Sequence, residues 1–167
     1  MASFTKNKRI DPYKNFKFVI HFEGRQDPVA GVSKISPLKR TTEVVSQRDG
    51  ADLSTDRKSP GRTKYEQITF ERGVTHDPDF EEWANLVYST DGDAAVSLAG
   101  YKRNLLLKVN NLQGVTVKAY RIFRCWVSEY VAVPELDANA NAVMIESVVV
   151  QNEGWERDLD VKEQQET

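Results

Sequence analysis

Alternation with a period of two constrains this chain more than any other feature. From Asn15 to Glu23, Phe16, Phe18, Ile20 and Phe22 share one face, while Lys17, Val19, His21 and Glu23 share the other. Successive strand side chains point to opposite faces, so this stretch predicts a strand with one buried face. Val29–Ile35 predicts a second, shorter strand, paired with the first as a hairpin across Gly24–Asp27. The alternation returns in Tyr65–Arg72, where Ile68 and Phe70 oppose Gln67, Thr69 and Glu71. Leu105–Asn110, Val115–Val127 and Val143–Gln151 complete the strand signals, with Asn111–Gly114 as a turn.

Only one segment reads as a helix, from about residue 77 to 89. Asp77-Pro78 is a helix start, an acceptor for free amides followed by a residue with no N–H to satisfy. Asp79, Glu81 and Glu82 place negative charge in the first turn, where the helix dipole favours it. Phe80, Trp83 and Val87 form an apolar stripe at i, i+3 and i+7, and Phe80 and Trp83 are the predicted core anchors. Six or seven strands and one helix predict a mainly β fold. The expected form is a β-sandwich or partial barrel of antiparallel strands, with the helix packed outside.

The 167 residues fit one domain, long enough to bury roughly two thirds of its unfolded surface. The expected organisation is a polar N-terminal arm over residues 1–14, a β domain over 15–156 and a charged, frayed tail over 157–167. Inside the domain, residues 36–64 show no sustained period. Pro37, Pro60-Gly61, Asp49-Gly50 and a dense mixture of charges predict a long irregular loop, with Pro60-Gly61 as a turn pair. Only Glu43-Val44-Val45 hints at a short strand there.

Charge is unevenly spread. Residues 129–167 hold ten acidic and two basic side chains, so that segment carries −8 and the rest +6, against a total of −2. The pI near 5.8 argues against a nucleic-acid binder, which would show a basic stripe. The split is explained either by simple solvation or by head-to-tail charge complementarity between subunits. The single cysteine, Cys125, excludes an intrachain disulfide framework and fits synthesis in a reducing compartment. Met1–Lys6 has no apolar run, so neither a secretory signal nor a membrane anchor is expected.

The residues do not assemble a catalytic centre. His21 and His76 lie in different elements, and neither has a second ligand at metal spacing. Cys125 sits mid-strand beside Trp126, as a buried structural cysteine does. Glu81 and Glu82 are adjacent on a helix and cannot face one substrate together. No phosphate-cradling glycine loop and no Gly-x-Ser-x-Gly occurs. No catalytic, cofactor or metal residues are therefore expected, and no enzyme.

Several short motifs in one order carry a family resemblance. They are Asp11-Pro12-Tyr13-Lys14-Asn15-Phe16, Gly31-Val32-Ser33-Lys34, Glu43-Val44-Val45, Pro60-Gly61-Arg62 and Lys64-Tyr65-Glu66. Arg72-Gly73-Val74-Thr75 and the acidic helix with Phe80 and Trp83 follow, then Cys125-Trp126-Val127, Leu136-Asp137-Ala138, Ile145-Glu146-Ser147 and Asn152-Glu153-Gly154-Trp155. Together they resemble the tail tube proteins of contractile phages and the inner-tube proteins of phage-tail-like contractile injection systems. The chain departs from that pattern at Ser46–Gly50 and in a longer link over 90–100.

The resemblance implies a structural subunit that joins five others in a ring-shaped β-barrel. Rings then stack into a hollow tube that a contracting sheath drives through a target envelope, delivering DNA or an effector. Implied partners are the sheath, baseplate or spike, and terminator proteins, with cargo in the lumen read without sequence specificity. The implied location is an assembled phage tail or an extracellular or cell-associated particle. Glu43, Arg48, Asp49, Arg57 and Lys58 are the expected inter-ring contacts. The rivals are a type VI-like secreted hexameric ring protein and a monomeric β-barrel small-ligand binder with a dry interior.

Overall fold

The alternating segments become strands. The computed structural model describes residues 17–29, 31–48, 50–51, 54–88 and 100–162. Strands β1 (Phe18–Phe22), β2 (Val32–Ile35), β3 (Arg40–Gln47), β4 (Arg57–Tyr65) and β5 (Ile68–Gly73) precede helix α1 (Asp79–Ala84). Strands β6 (Arg103–Asn110), β7 (Thr116–Val131), β8 (Ile145–Gln151) and β9 (Trp155–Arg157) follow it. Seven of these strands form one antiparallel sheet in the order β1-β6-β7-β8-β5-β2, with β9 on β7. The arm over residues 1–14 lies outside the described residues.

Strand β7 is the spine. Its first part pairs with β6 and β9, and its second part pairs with β8. The change falls at a bulge. Leu105 pairs with Ile122 but Arg103 with Cys125, so three steps on β7 match two on β6. Arg124 takes up the extra length at φ 50, a left-handed conformation costing a non-glycine residue about 1–3 kcal/mol. The Asn104 Oδ1 accepts the Arg124 N–H at 2.9 Å, which satisfies the donor that the bulge removes from the ladder.

The two parts contribute to one apolar core. Ile20, Phe22 and Leu105 come from the β1-β6 side, and Ile68, Phe70 and Val148 from the β5-β8 side. Helix α1 supplies Phe80 and Trp83, both almost fully buried. The Trp83 ring meets Phe22 edge-on at 5.2 Å and Phe70 at 6.1 Å, so one side chain ties β1 to β5.

The first two strands do not form the expected hairpin. β1 pairs with β6 and β2 with β5, at opposite ends of the strand order. After β1 the chain turns at Gly24, φ 82, and the Val29 N–H returns to the Ile20 carbonyl at 2.7 Å. Val29 is buried, and that apolar anchor carries the chain across rather than back along β1.

The helix is shorter than the expected 77–89 span. It ends at Ala84 and tightens into a 3₁₀ turn over Asn85–Val87. Asp77 still acts at the start, its Oδ1 accepting the Asp79 N–H at 2.9 Å. The tail begins later than expected. Arg157 lies in β9 and the Asp158 N–H reaches the Ala119 carbonyl at 2.8 Å, because β9 adds to the free part of the β7 edge. Residues 163–167 lie outside the described residues.

Candidate assembly interface

Within the stretch expected as an irregular loop over 36–64, the described residues form a hairpin. Among the described residues β3 and β4 pair only with each other, from Arg40–Tyr65 at the base to Gln47–Arg57 at the far end. Every residue in both strands is exposed except Tyr65, which is half-buried. Both faces of this ribbon meet water, so no apolar alternation marks it in the sequence. Its backbone ladder and local pairs hold it, including Thr42 and Thr63, whose hydroxyls lie 2.9 Å apart.

Pro60-Gly61 is not a turn but lies inside β4. Thr42 pairs with Thr63 and Val44 with Pro60, so Gly61 and Arg62 together oppose Glu43 in a bulge. A Cβ on Gly61 would stand 3.1 Å from the Val45 Cγ2 and 3.2 Å from the Glu43 Cβ. Only glycine fits this approach without displacement. An edge strand or a bulge is where a sheet tolerates proline, and Pro60 has both.

Among the described residues the hairpin is fastened to the sheet at its base. The Tyr65 and Trp155 rings meet edge-on at 5.8 Å, and the Arg40 guanidinium lies 5.8 Å from the Trp155 ring centroid. Gly154 packs beside the Tyr65 ring with φ 134, a backbone conformation that residues with a side chain rarely adopt. The Glu66 N–H bonds the Lys39 carbonyl at 2.9 Å, and Asn152 Nδ2 donates to the Glu66 carbonyl at 3.0 Å.

The predicted contact residues divide between two levels of this ribbon. Arg57 pairs with Gln47 and Lys58 with Ser46, so both stand beside Arg48 at the far end. Glu43 sits nearer the base, opposite the bulge. Asp49 lies outside the described residues. Phe80 and Trp83 are in the core, as described above.

The opposite end of the β8-β5-β2 side is set by a buried ion pair that the sequence reading passed over. Arg72 has no exposed surface. Its Nε donates to Glu146 Oε1, its Nη2 donates to the Asp77 carbonyl at 2.6 Å, and its guanidinium lies 4.2 Å from the Phe80 ring centroid. The Tyr130 hydroxyl donates to the second Glu146 oxygen at 3.3 Å. Burial, with Glu146 beside it, pushes the Tyr130 phenol up. The cluster joins β5, β7 and β8 to the approach to α1. Parity along β5 was the available signal, since Arg72 follows Ile68 and Phe70 on the inward face.

The remaining polar features among the described residues are a buried thiol, a half-buried histidine and a cluster of paired charges. Cys125 is fully buried, and desolvation pushes its thiol up to about 12, far from a nucleophilic thiolate. Desolvation lowers the His21 pKa, with Lys108 adding to the effect. Among the described residues no three His, Cys, Asp or Glu side chains cluster as metal ligands. A cavity of about 900 Å³ opens beside the β7 bulge, lined by Arg25, Lys102, Arg103 and Arg124 among others. Arg25 bonds Asp79 at 2.8 Å, while Lys102 and Arg124 reach Glu153 at 2.5 and 3.2 Å. The hydrogen bond from Lys102, then that from Arg124, holds the Glu153 carboxyl below its usual range. This is a wet, self-paired depression, unlike the dry interior of a small-ligand barrel. No helix among the described residues is long and apolar enough to cross a membrane.

An antiparallel fold with outer strands β1 and β2 at its two edges and a ribbon exposed on both faces defines a subunit built for assembly. The family described as T4-like virus tail tube protein gp19 matches residues 14–156, and the chain belongs to that family. It is thus a structural protein of the tail-tube class.

Solved structures agree on the fold. The anti-feeding prophage baseplate, 6-fold symmetrised, contains a chain with 17% identity and TM-score 0.73, aligned over 89% of this chain and 97% of that one. The sheath–tube complex of an extracellular contractile injection system, PVC, in its extended state, contains one with 16% identity and TM-score 0.71, over 88% and 91%. Hcp1 from Flavobacterium johnsoniae has 13% identity and TM-score 0.50, over 85% and 94%. A comparison with curated proteins gives no match.

Proposed function

We propose that six copies of this chain close into a ring, that the rings stack into a hollow tube, and that the subunit works without catalysis. The observation that carries this reading is the β3–β4 hairpin, a two-stranded sheet of its own with both faces exposed. A two-stranded ribbon alone is marginal in water, so a neighbouring copy covering it explains its presence. Ring closure joins the outer edges of β1 and β2, since a head-to-tail contact that closes pairs every edge.

The tube belongs inside a contracting sheath, between a baseplate or spike and a terminator. Similarity to chains of a sheath–tube complex and a sheath/tube terminator supports those partners. The subunit is made in the bacterial cytoplasm and works in a phage tail or an extracellular injection particle, around a cargo of DNA or protein.

In this reading the hairpin governs stacking and leaves ring closure alone. Glu43, Arg48, Asp49, Arg57 and Lys58 form its contact set. Single rim contacts contribute roughly 0–1 kcal/mol each, but symmetry repeats them at every junction. Deleting Asp49–Asp56 should therefore yield rings that do not elongate, and raising ionic strength should shorten wild-type tubes. Native mass spectrometry and negative-stain microscopy read both. A monomeric deletion variant, or one forming tubes of normal length, would remove the hairpin from this role.

A further inference from the structure

The cavity beside the β7 bulge gathers cations from three separate elements. Arg25 comes from the turn after β1, Lys102 and Arg103 from the entry into β6, and Arg124 from the bulge itself. Arg103 pairs with Cys125, which places it beside Arg124 across the β6–β7 ladder. Like charges repel, so four cations around one opening cost free energy unless anions compensate them.

The compensation is incomplete. Asp79 takes Arg25, and Glu153 divides its two oxygens between Lys102 and Arg124, so one negative charge serves two cations. Glu23 accepts from the neutral Asn104 amide. Arg103 has no carboxylate partner among the described residues, and its guanidinium lies 5.1 Å from the Phe22 ring centroid. Four cations against these three carboxylates leave a positive charge in excess, at Arg103.

The opening is held in shape. The Asn104 Oδ1 accepts the Arg124 N–H, its Nδ2 donates to Glu23, and the Glu23 N–H bonds the Asn104 carbonyl at 3.0 Å. One side chain thus ties the bulge to the turn after β1. Arg124 keeps its left-handed φ of 50 there, and strain of this kind clusters where a structure clamps a ligand. Tyr101 adds a half-buried ring, edge-on to Trp126 at 6.5 Å.

We infer that this cavity binds a phosphate-bearing ligand of nucleotide size. The phosphate sits between Arg103 and Arg124, with Lys102 at its side. A guanidinium fork matches phosphate oxygens two at a time, and a phosphate supplies the negative charge that the three carboxylates do not. The volume of about 900 Å³ exceeds what inorganic phosphate fills and leaves room for a base against Tyr101. A free nucleotide and a phosphodiester backbone present the same group. The site does not require ring or tube formation.

Isothermal titration calorimetry of the full-length wild-type protein tests this with sodium pyrophosphate, ATP and a short single-stranded DNA at one fixed ionic strength. Pyrophosphate should bind saturably and ATP more tightly. Arg103→Gln should weaken both by about tenfold or more, the loss of a charge-assisted contact. Arg124→Gly should do the same. Glycine takes the left-handed conformation freely, so the bulge persists and this variant reports the guanidinium alone, even where Arg103→Gln disturbs folding. Tyr101→Ala should weaken ATP and spare pyrophosphate. Lys64→Gln, which removes an exposed cation on β4, should change nothing. DNA binding with the same dependence on Arg103 and Arg124 would make the phosphodiester backbone the source, and ATP binding without DNA binding would make it a free nucleotide. No saturable binding of any probe would overturn the site. Binding that ignores Arg103 and Arg124, or that Lys64→Gln weakens equally, would also overturn it as diffuse charge attraction.

Discussion

Glu146→Ala should cost about 3–5 kcal/mol of folding stability, the loss expected when one partner leaves a buried ion pair. The Arg72 guanidinium is fully buried and Glu146 supplies the carboxylate on its Nε. Among the described residues, Asp77 also faces the guanidinium, its Oδ2 standing 3.7 Å from Nη1. The mutation also removes the acceptor of the Tyr130 hydroxyl. Thermal unfolding should shift downward by about 6–20 °C for a chain of this size. Glu146→Gln retains an acceptor of the same shape and should lose less. Arg72→Met combined with Glu146→Leu should lose less than Arg72→Met alone, because no charge is then stranded in the core. An unchanged midpoint for Glu146→Ala would show that the pair does not hold β5, β8 and the approach to α1 together.

Trp83→Ala should cost a similar amount, about 3–5 kcal/mol, by a different route. Trp83 packs between Phe22 and Phe70, and truncation leaves a cavity that crosses the core from β1 to β5. Its buried Nε1 makes no hydrogen bond among the described residues, so the loss is one of packing rather than polar contacts. Trp83→Phe keeps most of the ring volume and should retain much of the stability. Calorimetry or chemical denaturation reads the difference. Alanine and phenylalanine variants of equal stability would remove Trp83 from the core.

These two effects differ in how visible they are in the sequence. Trp83 stands at i+3 from Phe80 behind a helix-start signal, and the structure buries both side chains. Arg72 and Glu146 occupy inward positions of strands read correctly, yet charge at an inward position looks like an error until its partner is found. Parity gives the face of each residue but not the pairing between β5 and β8, which arises from residues 74 positions apart.

The hairpin shows another limit of periodicity. Alternation is informative only when one strand face is apolar, and β3 and β4 have no dry face. The ladder that orders them is a backbone property, and the bulge at Gly61 looks in the sequence like a Pro-Gly turn. The β1–β2 pairing failed for a related reason. Proximity along the chain favours a hairpin, but the apolar side chains of β1 and β2 belong to opposite ends of one folded sheet. Part of the mixed pattern of β7 arises at the Arg124 bulge, where the strand changes partners and inward parity shifts from Ile122 to Cys125.

An account of this chain as a tube subunit depends first on self-assembly. Negative-stain microscopy of the purified full-length wild-type protein, with two-dimensional class averages of end-on particles, tests that most directly. The account predicts rings of six copies around an open centre, with stacked tubes as concentration rises. A uniform monomer at every concentration, or rings without a central channel, would contradict it.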